Sequence, residues 1–155
     1  MFRFVFWLLP LALFAIAWLL WSQFRPRLRA RQLQRARNEF TRSRGDLHAA
    51  FLAAASATGK PRGLAWKKCD FQDGLLLAQD RASGELLGLV GVTISFEAIP
   101  GGGMEEVEAV GNLRAATAVF SWNGRAWTTQ GRAIFNLEPR EVLERYKDTL
   151  RPLLL

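Results

Sequence analysis

The first feature of the hydrophobic pattern is an apolar run near the start of the chain. Residues 4–24 carry no charge, and no polar side chain interrupts residues 4–21. As a helix this segment is about 31 Å long, which matches a bilayer core of about 30 Å. Its tryptophans, Trp7, Trp18 and Trp21, lie near the two ends, where indole rings favour the headgroup boundary. The pattern predicts a transmembrane helix over residues 4–24.

A cleavable signal peptide is the alternative for this segment. Ala15, Ile16 and Ala17 have the small-x-small form of a cleavage site. Cleavage there would leave Trp18 and Trp21 at the new N-terminus, and no polar region precedes the site. We therefore expect an uncleaved anchor.

The next segment, residues 25–44, is rich in arginine, and the absence of glycine and proline from residues 27–44 predicts a juxtamembrane helix. A thin apolar stripe at helical spacing continues from it toward Phe51 and Ala54; its members are Leu33, Ala36, Phe40 and Leu47. We expect the stripe to pack on the protein's own sheet, and a seam for a partner helix or a homodimer is the alternative. Gly45 and Asp46 predict a break, with Ser43 and Asp46 capping a new helix over residues 46–58.

From Leu64 onward the apolar period changes to two. Strands are predicted over residues 64–71, 75–81 and 86–99, and the third puts alternate residues on a core face: Val90, Val92, Ile94, Phe96 and Ala98. Asn123 and Gly124 predict a two-residue hairpin turn that sets Trp122 opposite Arg125 and Phe120 opposite Trp127. Pro139 begins a final amphipathic helix over residues 139–150, whose apolar face is Val142, Leu143, Tyr146 and Leu150.

This order of elements predicts an α+β domain over residues 45–155, in which a helix and a C-terminal helix pack on an antiparallel sheet. The order is similar to that of cystatin-like or NTF2-like folds with a curved sheet. The segments VGVTISFEAI, AVGNLRAATAVF and GRAIFNLEP resemble stretches of uncharacterised bacterial single-pass membrane-anchored proteins of similar length, over about residues 46–140. The resemblance implies this architecture and no particular activity.

The net charge of +7 is distributed unevenly along the chain. Residues 25–44 hold eight arginines and Glu39, whereas residues 45–155 hold 12 basic and 13 acidic side chains. The domain is thus almost neutral, which excludes a basic nucleic-acid-binding domain. Because arginines follow the apolar run and only Arg3 precedes it, we expect a single-pass protein of the cell (inner) membrane with a cytoplasmic C-terminal domain. Anionic lipid headgroups are the predicted contacts of Arg25, Arg27, Arg29, Arg31 and Arg35.

Side chains that carry chemistry are few. His48 and Cys69 are the only histidine and cysteine, so a zinc site within one chain and an intrachain disulfide are excluded. His48 has no carboxylate at helical spacing, and Cys69 is expected to be a small buried apolar residue, although Lys67 and Lys68 could lower its pKa. Two acidic clusters, Asp70 with Asp73 and residues 105–108, fit a turn and a solvated strand edge. The basic loop of residues 59–63 lacks the strand and helix that flank phosphate loops.

We therefore expect no cofactor and no enzyme activity, but a membrane-anchored accessory or scaffold protein whose domain binds another membrane or membrane-proximal protein. Trp66, Trp122 and Trp127 are the candidate contacts, although core packing is expected for at least two of them. The alternative is a small-molecule sensor or an enzyme with a pocket in a curved sheet. Such a pocket would combine Trp122, Trp127 or Phe96 with a polar residue such as Asp70 or Glu97.

Overall fold

The structure, a computed structural model, describes residues 5–58 and 63–153, with the side chains of all of these except residues 5–17, 19–20, 22–26 and 109. The chain divides into two compact units. The first is Met1–Arg35 with Leu155, and its described part is the beginning of helix α1 (Val5–Thr58). The second, Ala36–Leu154, contains the sheet, so residues 36–44 of the predicted juxtamembrane helix belong to this compact unit.

Helix α1 is continuous through Gly45, so the predicted break there is wrong. Ser43 does not cap a new helix, because its Oγ donates to the Glu39 carbonyl at 2.7 Å within the same helix. The physical reason lies in the apolar stripe, which continues across the glycine with five buried side chains: Ala36, Phe40, Leu47, Phe51 and Ala55. Burial of these side chains outweighs the roughly 1 kcal/mol that one glycine costs inside a helix.

In the described part of the chain, no helix is long and apolar enough to cross a membrane. The backbone of the predicted span is helical from Val5. Of its side chains, those of Trp18 and Trp21 are described and exposed, and the others lie outside the described residues. The transmembrane helix over residues 4–24 therefore stays a prediction.

The remaining elements confirm an α+β domain with an open antiparallel sheet. Its strands are β1 (Leu64–Phe71), β2 (Leu76–Asp80), β3 (Leu86–Ala98), β4 (Arg114–Trp122), β5 (Trp127–Thr128), β6 (Ala133–Phe135) and β7 (Leu150–Pro152), and the second helix is α2 (Pro139–Arg145). The strand order is β5-β4-β3-β2-β7, while β1 pairs with β3 and β6 pairs with β4. Because β3 is 13 residues long, β2 pairs with its first part and β1 with its second.

The three predicted strands are confirmed, and so is the predicted core face of β3. Val90, Val92 and Ile94 are at most 1% exposed. The acidic residues 105–108, expected on a strand, lie instead in the long loop before β4, where a short 3-10 turn covers Glu108–Gly111. Two glycines account for this loop, because Gly101 and Gly103 adopt positive φ and so interrupt the extended strand conformation.

The hairpin at Asn123 and Gly124 forms, but its predicted register is wrong by two residues. Trp122 pairs with Trp127, not with Arg125. The loop has four residues because the Asn123 Oδ1 accepts hydrogen bonds from the backbone nitrogens of Arg125 and Ala126 at 2.9 and 2.8 Å. A shift of two preserves which face each side chain occupies, so the aromatic side chains still share the buried face.

The final helix is shorter than predicted. It ends at Arg145, and Leu150–Pro152 form strand β7 along the edge of β2, where Ala78 pairs with Pro152. The chain pairs here because the backbone groups at the edge of β2 need hydrogen-bond partners, and the Leu153 nitrogen also donates to the Leu77 carbonyl at 2.9 Å. The predicted apolar positions still contribute to packing, because Val142 and Leu150 are buried against Ala78 and Leu89.

Helices cover the two faces of the sheet. Phe40 and Phe51 of α1 pack on one face, with ring centroids 5.3 and 5.9 Å from Phe120. Val142 of α2 packs on the other face, where the Thr117 hydroxyl donates to the Leu137 carbonyl at 2.7 Å. This arrangement leaves the turn between β1 and β2 beside α1.

Candidate functional site: an arginine groove beside the β1–β2 turn

The three tryptophans proposed as contact residues are mostly inside the domain. Trp127 is 5% exposed and its indole nitrogen donates to the Ala36 carbonyl at 2.7 Å. Trp122 is 8% exposed and lies 5.3 Å from Trp127 between ring centroids. Trp66 is half-buried and meets Phe51 and Phe96 edge to face. Trp122 and Trp127 are thus core residues, and Trp66 alone of the three keeps part of its surface in solvent.

The space where a curved-sheet pocket was considered is occupied by side chains. Phe40 contacts both Phe120 and Trp127 edge to face, with centroids 5.3 and 5.5 Å apart. Asp70 is exposed and pairs with Lys68 at 2.8 Å, so it does not converge on these rings. Glu97 is also exposed. This packing disfavours a ligand pocket lined by Trp122 or Trp127.

A groove of about 230 Å³ lies instead between α1 and the β1–β2 turn. Its helical wall consists of Arg37, Phe40, Thr41 and Arg44, which recur at helical spacing, and residues 72–75 form the opposite wall. We call this cavity the arginine groove. A turn was expected at Asp73, but the helical wall was not expected to face it, because the predicted break at Gly45 separated that helix from the domain.

Arg44 holds the two walls together. Its Nη1 lies 2.6 Å from the Asp73 Oδ1, and its Nη2 donates to the Gln72 carbonyl at 3.0 Å. The Asp73 side chain is 95% exposed and that of Arg44 34%. Ion pairs this exposed contribute at most about 1 kcal/mol, so the Arg44–Asp73 pair can exchange with another acceptor at low cost.

Arg37 is the second cation of the groove. Its Nε is shielded from solvent and has no hydrogen-bond partner among the described residues. Its carbonyl accepts a hydrogen bond from the Thr41 hydroxyl at 3.1 Å, which is a contact within the helix. A shielded guanidinium donor without an acceptor costs free energy, and an anion that reached the Nε through the groove would recover it.

The turn that forms the other wall is fixed to the sheet. The Gln72 nitrogen donates to the Gly91 carbonyl at 2.9 Å, and its side-chain amide donates to Glu138 at 3.4 Å. Gln72 lies over Gly91, where a Cβ would collide with its side chain. These contacts anchor this wall of the groove to the sheet.

All five arginines predicted to contact lipid lie in the first compact unit. Arg27, Arg29, Arg31 and Arg35 are all exposed, as contact with an external anion requires, and the side chain of Arg25 lies outside the described residues. The basic loop of residues 59–63 is likewise outside the description except for Gly63.

The side chains of His48, Cys69 and Glu105 have pKa values that packing and backbone hydrogen bonds shift. Burial, and then the Arg44 charge, lowers the pKa of His48, whose ring stacks on Phe71 at 3.8 Å. Burial, and then Asp70, raises the pKa of Cys69 to about 11, so the neighbouring lysines do not activate this thiol. Backbone hydrogen bonds, including one from Gly101, lower the pKa of Glu105 and use its carboxylate to hold the loop.

No metal centre accompanies these groups: among the residues that the structure describes, no three or more His, Cys, Asp and Glu side chains are placed to hold an ion. The arginine groove offers binding chemistry of another kind through its pair of guanidinium groups. No protein-family model matches the chain, and no curated protein or solved structure matches it at a significant level.

Proposed function

We propose that this protein is a membrane-anchored, non-enzymatic accessory or scaffold protein whose cytoplasmic α+β domain binds another protein through the arginine groove. The anchor in this proposal rests on the uncharged segment of residues 4–24 and on the arginines that follow it. The exposed side chains of Arg27, Arg29, Arg31 and Arg35 suit anionic headgroups, each worth about 1 kcal/mol near a membrane surface.

One observation carries the binding role. The interior between α1 and the sheet is filled by aromatic rings, whereas the arginine groove is lined by Arg37, whose shielded Nε has no partner among the described residues. A groove of about 230 Å³ accommodates a side chain rather than a cofactor or a drug-sized ligand. Recognition of a partner protein's side chain is therefore the function that this surface supports best.

The test is co-purification of the tagged full chain from its native membranes in an uncharged detergent. We expect a stoichiometric partner with the unaltered chain and with Arg42→Gln, a matched control on the exposed surface of the same helix. Arg37→Gln and Arg44→Gln should each lose most of that partner. A chain that brings down no stoichiometric partner, or groove variants that retain it as well as Arg42→Gln does, would show the proposal to be wrong.

The lipid contact has its own test, because it involves different residues. Replacing Arg27, Arg31 and Arg35 together by glutamine should leave membrane insertion intact and remove the preference for bilayers that contain anionic lipid. Flotation with neutral and anionic vesicles measures both properties. Equal preference for anionic vesicles before and after the substitutions would contradict the lipid role.

A further inference from the structure

The charge balance of the arginine groove is the starting point. Arg37 and Arg44 bring two positive charges to its lining, and Asp73 brings one negative charge. The groove therefore carries a net charge of +1, which suits the entry of one group with a single negative charge, such as a carboxylate. A dianion such as a phosphate monoester would face repulsion from the Asp73 carboxylate.

The pair formed by Arg44 and Asp73 shows what chemistry the groove already binds. A carboxylate oxygen lies 2.6 Å from the Arg44 Nη1, at the distance of a charge-assisted hydrogen bond. That carboxylate belongs to an almost fully exposed turn residue, so it can leave without exposing any buried group. Arg37 lines the same groove, and its Nε is not used by Asp73 or by any other described acceptor.

We infer that the arginine groove binds an aspartate or glutamate side chain from an acidic segment of the partner protein, and that Asp73 is an internal stand-in that occupies Arg44 until this carboxylate displaces it. The inference rests on the proposed function and names the chemistry of its partner. The incoming carboxylate accepts from Arg44 in place of Asp73 and also reaches Arg37. Phe40 and Leu75 provide apolar walls for the methylene groups of the entering side chain.

This arrangement makes Asp73 a competitor of the ligand. Because the Arg44–Asp73 pair is exposed, its removal frees Arg44 at little cost to the fold. Asp73→Asn should therefore tighten the binding of an acidic segment by about 2- to 5-fold, the factor expected for an exposed ion pair. A purely structural role of Asp73 predicts the opposite, since a loosened turn would weaken binding.

The experiment measures binding without the natural partner. The full chain, labelled with ¹⁵N-arginine in uncharged detergent micelles, is titrated with an acetylated tetraglutamate amide, with the tetraglutamine analogue, and with inorganic phosphate. We expect the tetraglutamate peptide to shift the Arg37 Nε–H resonance in a saturable way, and tetraglutamine to leave it in place. Arg37→Gln should weaken peptide binding by about 10-fold, and Arg42→Gln should leave it unchanged.

Three results would overturn the inference: equal binding of tetraglutamine, tighter binding of phosphate than of tetraglutamate, or an Asp73→Asn variant that binds tetraglutamate no better than the unaltered chain does. If Arg37→Gln fails to fold, Asp73→Asn decides alone, since it changes an exposed turn. Failure here is distinguishable from failure of the proposed function. Co-purification of a partner without any Asp73→Asn effect refutes only the stand-in, whereas a peptide effect without a co-purified partner refutes only the accessory role.

Discussion

Gly131 offers the sharpest test of how α1 packs on the sheet. It lies in the connection between β5 and β6 at φ +71°, against the backbone of the helix. A Cβ added there would lie 2.6 Å from the Ala54 carbonyl carbon and 2.7 Å from the Ala55 Cα. Backbone atoms cannot rotate out of the way, so Gly131→Ala must push α1 from the sheet.

The expected cost has two parts. An alanine at positive φ loses roughly 1–2 kcal/mol from backbone strain. Overpacking against the helix adds about 1–3 kcal/mol, because Phe51 and Ala55, both 0% exposed, must shift together. Gly124→Ala is the matched control, since Gly124 has φ +94° and nothing within 4 Å of its added Cβ. It should cost the strain alone.

Urea unfolding of the full chain in uncharged detergent, followed by tryptophan fluorescence, measures the two free energies of unfolding. Gly131→Ala should be less stable than Gly124→Ala by about 1–3 kcal/mol, with a melting temperature lower by roughly 4 °C for each kcal/mol. A difference below about 0.5 kcal/mol would show that the helix does not lie on the sheet at Gly131.

Two further predictions concern the isolated titratable groups. The pKa of His48 is lower in the folded chain than its ordinary 6.5, so the unfolded chain takes up the proton first as the pH falls. The free energy of unfolding should therefore decline below about pH 6.5. His48→Gln should reduce that decline between about pH 7.5 and 5.5. A slope that His48→Gln leaves unchanged would contradict this. Burial raises the pKa of Cys69 from 9.0 to about 11, so its thiolate at pH 8 is about a hundredfold rarer than that of an exposed cysteine. Iodoacetamide should therefore label Cys69 about a hundredfold more slowly than an exposed cysteine. Labelling at the rate of an exposed cysteine would refute its burial.

Strands were predictable from the sequence because period-two alternation directly reports which face of a strand is buried. In β3 the alternation of Val90, Val92 and Ile94 with glycine and polar residues matches their burial under α1. The aromatic face of the hairpin was predictable for the same reason, although Trp122 pairs two residues further along than expected. Its register depended on hydrogen bonds that the Asn123 side chain accepts from the backbone, which turn propensity does not specify.

Helix boundaries were less predictable, because local signals competed with tertiary contacts. Gly45 is a helix-breaking signal taken alone, yet α1 continues through it since Leu47 and Phe51 are buried on the sheet. At the other end, residues after Arg145 have helical periodicity but join the sheet as β7, because the edge of β2 offers unpaired backbone groups. In both cases a short stretch of sequence shows the local preference but not the tertiary contacts that outweigh it.

The candidate site depended on tertiary structure even more. Sequence reasoning offered Trp66, Trp122 and Trp127 as candidate contacts and expected at least two of them in the core, and the fold places Trp122 and Trp127 there. It treated Arg37 and Arg44 as part of a uniformly basic segment. The spacing of Arg37, Thr41 and Arg44 on one helix face was visible, but nothing in the sequence indicated which turn would face it.

By itself, the sequence determined the α+β class, the strands β1, β2 and β3 and the concentration of positive charge in residues 25–44, because the order of apolar and charged side chains directly reports burial and charge. Only the tertiary structure decided that α1 is continuous through Gly45, which two of the three candidate tryptophans lie in the core, and that Arg44 meets Asp73 across the arginine groove. The physical reason is that these outcomes depend on contacts between residues distant in the chain, whose free energies exceed the local preferences that a sequence displays.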